Sequence, residues 1–384
     1  MDDTRIKKKG RKIHGASWTR DPLGPPFHTN FIWGQRFLQL SLALPERSDL
    51  GMTRAIPIGF HHTPSLKKPK KKAPKEDWDK WKVESKKHAV PAVGIKKVKT
   101  LRNQLDAMGQ KHRKLILSVD GGFTNITCIK NLPHRCDLIG RIRKDAKIFR
   151  PVEPTNKPQR GRKRIYGDQL PTPNEIRQDK DIPWQQVKAF AAGKVHEFDV
   201  KVVDNIRWKG AGDKQIRLII VRPLAYRLSK KSRLLYRDPA YIITTSTDLS
   251  IEETLQNFVW RWEIELNFRD EKTLLGIGQA QVREKNAASR VPAFLVAAYS
   301  YLQISIHKEY GFKQPEAILN PKWQTNKKYK RFTTQKMIGL FRAQLWSEAL
   351  GINNLSSFKD KSTSFMKPIL FGNSLLSAVF HGVK

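Results

Sequence analysis

Leu115-Ile116-Leu117-Ser118-Val119 is a short, nearly continuous apolar run. A strand of this kind must be covered on both faces, and helices packed on either side of a sheet are the usual cover. The run ends at Asp120-Gly121-Gly122, and a second such strand is predicted from Leu138 to Ile142. Three more strands are expected at 197–203, 216–221 and 241–245. Upstream, Gly34 to Leu44 alternates like a strand, and 11–18 is its candidate hairpin partner. Helical spacing covers Ile95 to Met108, the stretch from Ser250, Ala287 to His307, and Thr334 to Leu350. Ser250 with Glu253 three residues on is a capping box. Strands followed by helices, with a β-rich segment between them, predict an α/β core interrupted by an insertion.

Charge narrows the function. The 384 residues carry 73 Lys and Arg against 35 Asp and Glu, a net charge of +38 spread along the chain. Such a field attracts polyanions, above all nucleic acid. Hydrophobic residues make up 39%, which supports a real core and argues against global disorder. Cys128 and Cys136 match no zinc spacing and are too few for a disulfide framework, so a reducing, intracellular setting is expected. The chain opens on acids followed by Arg5-Ile6-Lys7-Lys8-Lys9, which is not a signal peptide. The longest apolar stretch, Val291 to Ile306, contains Pro292, Ser300 and Gln303; it is too short to span a bilayer and reads as a buried helix. Pro64 to Lys75 is a solvated Lys/Pro tract, expected to be mobile. The stretch 151–183 is rich in Pro, Lys, Arg and Gln and includes Arg160-Gly161-Arg162-Lys163-Arg164.

Two places carry candidate chemistry. On a helix from Ser250, Phe258, Arg261, Glu265, Phe268 and Lys272 fall within a stripe roughly 80° wide, taking about 100° per residue. Leu255, Val259, Trp262 and Leu266 form a neighbouring apolar stripe that seats the helix. On periodicity alone the polar stripe is an exposed ion-pair ladder, because Arg–Glu–Lys at this spacing is common. Asp120 ends a strand apolar enough to be central, and two glycines after it allow close approach. It reads equally as a turn aspartate in an Asp-Gly pair. Asp2 and Asp3, taken alone, are N-terminal acids of the solvated kind.

Together the pieces are more specific. Phe258, Arg261, Glu265 and Lys272 resemble the Y-x2-R-x3-E-x6-K signature of DDE transposases from bacterial insertion sequences, with Phe in place of Tyr. Asp120-Gly121-Gly122-Phe123-Thr124-Asn125 is similar to that family's second-aspartate motif, and 138–146 to the strand that follows it. Asp2-Asp3-Thr4 with Lys8, Lys9 and Gly10 resembles the first-aspartate motif. The resemblance runs in order from residue 1 to about 305. It implies a ribonuclease-H-like fold: a mixed five-stranded sheet flanked by helices and interrupted by a β-rich insertion. It also implies that Asp2, Asp120 and Glu265 are catalytic and hold two Mg²⁺ ions, with Mn²⁺ as a substitute, about 4 Å apart at a DNA phosphate. Arg261 and Lys272 would contact DNA phosphates, Arg141, Arg143 and Lys144 would add backbone contacts, and Trp208 is a candidate for stacking on an unpaired base.

The implied partners are the element's terminal inverted repeats and target DNA, with a homodimer in the DNA complex and no membrane. The implied location is the cytoplasm, with the nucleoid. In the family the first aspartate follows an apolar half-strand and an upstream DNA-binding region, so the resemblance implies an N-terminal truncation. The expected organisation is 1–149 for the first part of the core, 150–249 for the basic loop and insertion, 250–310 for the helices carrying the glutamate, and 311–384 for a basic C-terminal region. The alternative is a catalytically impaired DNA-binding remnant of a transposase.

Overall fold

The computed structural model describes residues 1–311 and 331–349, apart from 22–23, 26, 47–50, 154–160, 162–163 and 228–231. Arg160, Arg162 and Lys163 of the basic loop, Trp323 and Tyr329 of the tail, and everything from 350 onward lie outside these residues.

The chain begins with a four-stranded antiparallel sheet. It contains β1 (Asp2–Lys7), β2 (Ser17–Arg20), β3 (Phe31–Pro45) and β4 (Thr53–His62). The long β3 is its axis: β1 pairs along one edge, Asp2 opposite Gln39, and β4 along the other. β2 lies across β3 from β1, on the edge that β4 occupies further along, with Ser17 opposite Gly34. The expected alternation in β3 is therefore lost, because residues on both of its faces are buried between 37 and 40. Two helices follow, α1 (Lys75–Lys87), which the sequence reading missed, and α2 (Val90–Ala107). α1 has no buried residue, so it lacks the apolar stripe that periodicity detects.

The second sheet has eight strands. Across it run β5 (Leu115–Ser118), β6 (Cys136–Arg141), β14 (Ala240–Thr244), β11 (Ile216–Val221), β10 (Lys194–Trp208), β7 (Ile148–Pro151) and β8 (Tyr166–Gln169), with β9 (Gln185–Ala191) also paired to β10. β5 and β6 are parallel and the other pairs antiparallel. Short α3 (Ile126–Lys130) and α4 (Pro173–Gln178) lie in its connections, and β12 (Ala225–Tyr226) pairs with β13 (Leu235–Tyr236) as a separate ribbon. The predicted insertion strands at 197–203, 216–221 and 241–245 all belong to this sheet. The main core lies between α2, α3 and the sheet, around Val98, Val119, Ile129, Leu138 and Ile220.

The result is a mixed α/β fold with a large mixed sheet flanked by helices. The strands of a five-stranded ribonuclease-H-like sheet are present in the order β4-β3-β1 and β5-β6, but they are divided between two sheets. Contact between β1 and β5 narrows to one hydrogen bond, from the Met1 α-amino group to the Ser118 carbonyl at 3.1 Å. Consequently β5 is an edge strand of its sheet, where its apolar sequence predicted a central one.

α5 (Ile251–Trp260), α6 (Glu263–Thr273) and α7 (Lys285–Tyr310) then tie the sheets together; α8 (Thr334–Ala349) packs on α7. The Gln256 carboxamide accepts from the Phe190 N–H at 2.6 Å and donates to its carbonyl at 3.1 Å, pairing α5 with β9 as another strand would. On the other side Asn267 donates to Ala55 O at 2.8 Å, and Ser300 donates to Pro57 O at 2.7 Å. α7 is amphipathic, not wholly buried as its apolar composition predicted: Tyr299 and Ile306 are inside, while Phe294, Tyr301 and Ile304 are exposed. No described helix is long and apolar enough to cross a membrane.

The capping box at Ser250 is present, with the Glu253 N–H donating to Ser250 Oγ at 3.0 Å and the Ser250 N–H to Glu253 Oε2 at 2.8 Å. It fixes where α5 starts, and so the phase of Arg261 and Glu265 further along. Ser250→Ala is expected to lower unfolding stability by about 1 kcal/mol in urea denaturation, with the denaturant slope unchanged.

Candidate active site

Asp2 lies on β1 and is 6% exposed, so it is neither frayed nor solvated. Its Oδ1 accepts the Asp3 N–H at 2.8 Å, and its Oδ2 accepts Nη1 of Arg261 at 3.3 Å. Burial raises its pKa, the charge of Asp120 raises it further, and that of Glu265 adds to this; the value reaches about 7. Groups that perturb a titration so strongly must share one neighbourhood. Residues 2, 120 and 265, far apart in sequence, are thus brought to one place. The Met1 α-amino group is there too: burial pulls its pKa down to about 6, Asp2 and Asp120 opposing and Arg261 assisting.

Asp120 follows β5 by two residues. Its Oδ1 accepts the N–H groups of Gly122 and Phe123 at 3.0 and 3.2 Å, so it caps its own turn, as the Asp-Gly reading predicts. Thr124 Oγ1 donates to the Asp120 carbonyl at 2.7 Å, locking that turn. A Cβ at Gly122 would stand 3.3 Å from Asp120 Oδ1, so a larger residue there would crowd the carboxylate. Oδ2 of Asp120 and both oxygens of Glu265 make no hydrogen bond among the described residues.

Glu265 and Arg261 are carried by two helices, where the sequence predicted one. Between Trp260 and Glu263 the backbone tightens: Trp262, Ile264 and Glu265 each donate to the carbonyl three residues back, at 3.1 to 3.2 Å. That tightening moves Trp262 off the packing face, leaving it 61% exposed, while Trp260, Ile264 and Phe268 are buried. The predicted seat on Trp262 is corrected accordingly. Arg261 sits at the tight turn, its guanidinium over the Phe258 ring at 5.6 Å, which gives the aromatic position of the motif a physical task.

Lys272 is an exposed residue whose ammonium is nonetheless partly desolvated. This lowers its pKa, Glu265 and Glu271 pull it upward, and Arg5 and Lys7 on β1 push it down. Sequence reasoning missed Arg5 and Lys7 as cations of this neighbourhood, along with Glu271 and the Met1 amine. Glu271 is fully buried beside the Gln39 carboxamide, and burial raises its pKa to about 8 against the pull of that neighbour. The β1–β3 register would have revealed Arg5 and Lys7, but β1 is too short to show a pattern. Lys8, in the first-aspartate motif, is buried and donates to Gly278 O at 3.0 Å and Ala280 O at 2.6 Å, fastening β1 to the loop after α6.

Of the remaining sequence candidates, Arg141 passes beside the Asp120 turn, its carbonyl 3.6 Å from where a Cβ on Gly121 would stand. Arg141 ends β6, exposed, and donates to Pro239 O at 3.3 Å. Arg143 is paired with Asp145 through two hydrogen bonds, and Lys144 is exposed. Trp208 is partly buried against the main core and stacks over Gly210, a packing role.

A segment from 94 to 301, more than half of the chain, matches the family model described as a transposase DDE domain. The chain belongs to the DDE transposases. The match includes Asp120 and Glu265 and leaves Asp2 outside. No curated protein matches the chain. Membership makes DNA the substrate class and a divalent-metal-dependent nuclease or transposase the enzyme class.

Three carboxylates suit a hard divalent cation, which takes oxygen ligands. Asp120 and Glu265 offer unpartnered oxygens, whereas Asp2 is engaged by Arg261. Among the described residues no three carboxylate, imidazole or thiol groups are placed to hold one metal ion. The residues fit a cation in charge and chemistry.

A folded pKa of about 7 against an ordinary 3.8 means that the folded state binds an extra proton between those values, so Asp2 costs stability as pH rises through this window. The depressed Met1 amine works oppositely, restoring stability between about pH 6 and 8. Asp2→Asn is therefore expected to gain on the wild type by up to about 1.4 kcal/mol per pH unit between pH 4 and 6, read from urea midpoints across that range.

Proposed function

We propose that the chain is a DNA transposase that cleaves and joins phosphodiesters at element ends, with Asp2, Asp120 and Glu265 as its catalytic carboxylates. The observation that supports this reading is the burial of the Asp2 carboxyl on β1 within electrostatic reach of Asp120 and Glu265; burial first, and then these charges, raise its pKa. Like charges are gathered at such cost where a cation is to be held. Two divalent ions, when bound, supply an activated water and Lewis acidity at the leaving oxygen. Asp120 Oδ2 and the Glu265 carboxylate would hold them, and Asp2 would join on release from Arg261. Arg261, set free by that exchange, would turn to a DNA phosphate, and Lys272 with Arg5 and Lys7 would neutralise the backbone nearby. The exposed Arg141 and Lys144 extend that positive track, and Arg143 joins it if it leaves Asp145.

A second reading, a remnant that binds DNA without cutting it, is favoured by the Asp2–Arg261 pair and the absence of a three-ligand cluster among the described residues. Plasmid nicking separates the two. The catalytic reading expects Mg²⁺- or Mn²⁺-dependent nicking by the wild type and a loss of about 100-fold or more in Glu265→Gln, since even residues behind the ligands cost 10- to 100-fold in metal sites. Equal nicking in that variant overturns the assignment of Glu265. Salt-sensitive DNA binding without nicking in either protein supports the remnant.

A further inference from the structure

The hairpin of β2 and β3 carries an exposed aromatic face that the catalytic reading does not use. Among the described strands β2 pairs with β3 alone, Trp18 opposite Trp33 and Arg20 opposite Phe31. Directly opposed residues of an antiparallel pair, and residues two apart on one strand, point to the same face, so these four side chains share it. Trp18 is 67% exposed and Phe31 60%, while Trp33 is partly buried beside Trp18, the ring centroids 5.7 Å apart. Ser17 and Thr19 alternate to the other face and are partly covered. β2 thus turns its hydroxyls toward the protein and its indole toward solvent, the reverse of what burial selects.

Cations rim this face. The chain crosses it between β1 and β2, where Trp33 Nε1 donates to Gly10 O at 3.0 Å and Gln35 Nε2 to His14 O at 2.9 Å. The crossing carries Arg11 and Lys12, both exposed, and Lys9 before them and Arg20 beyond are exposed as well. Residues 4–20 hold seven Lys and Arg and no Asp or Glu. Gln39 and Trp33 are six residues apart on β3, so Asp2 and Trp18 lie on one side of this sheet, roughly 20 Å apart along the strand. The hairpin is outside the segment from 94 to 301 that matches the DDE domain.

An indole and a phenyl ring left in water at one spot mark a surface that something covers. The rim of cations repels a basic partner and selects a polyanion. Duplex DNA offers phosphates and base edges, and neither covers a ring. An unpaired strand offers flat apolar base faces together with phosphates, which matches both halves of the surface.

We infer that the β2–β3 hairpin is a platform for unpaired bases of a DNA strand. Trp18 and Phe31 stack on bases, Trp33 backs the Trp18 ring, and Arg11, Lys12 and Arg20 meet the phosphates. This is the task that the sequence suggested for Trp208, placed on a different element. The inference rests on DNA as the substrate class and stands whether or not Asp2, Asp120 and Glu265 cut it.

The test is fluorescence anisotropy on the full chain with two end-labelled single strands of equal length. One is a thymidine oligomer, and the other is its abasic counterpart, which keeps the phosphates and has no bases. The wild type is expected to bind the thymidine strand about tenfold or more tighter. Trp18→Ala with Phe31→Ala is expected to bring the thymidine strand down to the abasic affinity, which itself stays as it was. Trp18→Phe with Phe31→Tyr keeps both rings and is expected to keep the preference. Equal binding of the two strands by the wild type overturns the inference. So does a preference that survives the double alanine variant; if that variant also loses mass by light scattering, the face joins copies of the chain. If the alanine variant weakens both strands alike, or the ring-preserving variant behaves as the alanine one does, the rings serve the shape of the hairpin and the inference fails.

Discussion

The arrangement of this molecule depends on how two sheets are held at a fixed distance when they share almost no backbone pairing. A single hydrogen bond from Met1 to Ser118 spans the seam. Helix side chains do the rest: Gln256 grips Phe190 in the large sheet, Asn267 grips Ala55 in the small one, and Asp2 meets Arg261 between them. Hydrogen bonds to backbone carbonyls and amides are directional and short in reach. They set the helices in register with both sheets in a way that apolar contact alone does not. Asp2 comes from one sheet, Asp120 from the other and Glu265 from the bridging helices, so the site exists only because the bridge does.

The seam also explains the electrostatics. A buried carboxylate beside two others is unfavourable in the ionised state, and three local devices limit the cost. Arg261 supplies a counter-charge, Asp3 a backbone donor, and the raised pKa of Asp2 lets a proton be taken up near neutrality. Each device occupies something a cation would use. Metal affinity in such a site is a competition with protons and with Arg261, which couples it to pH.

Much of this was legible in the sequence, for identifiable reasons. The strands at 115–118 and 216–221 announce themselves because both faces are apolar, and the start of α5 because Ser250 and Glu253 make a reciprocal cap. Glu265 and Asp120 stood out only through their resemblance to the family's motifs; spacing alone left an ion-pair ladder and a turn aspartate. What could not be read depends on tertiary context. α1 buries nothing, so no periodicity marks it. The tightening at Arg261 and Trp262 involves neither Pro nor Gly. With it Trp260 is buried and Trp262 exposed, an outcome that periodicity does not distinguish. The edge position of β5 is a matter of what lies beside it, and no residue within β5 encodes that.

The clamp between Gln256 and Phe190 has a mechanical consequence. β9 lies more than sixty residues upstream of α5, and Gln256 is nine residues before Glu265 along α5 and α6. Two opposed hydrogen bonds on one amide resist shear in both directions along the strand. A load that displaces β9 therefore carries α5 with it, and the tight turn at Arg261 lies between that load and Glu265.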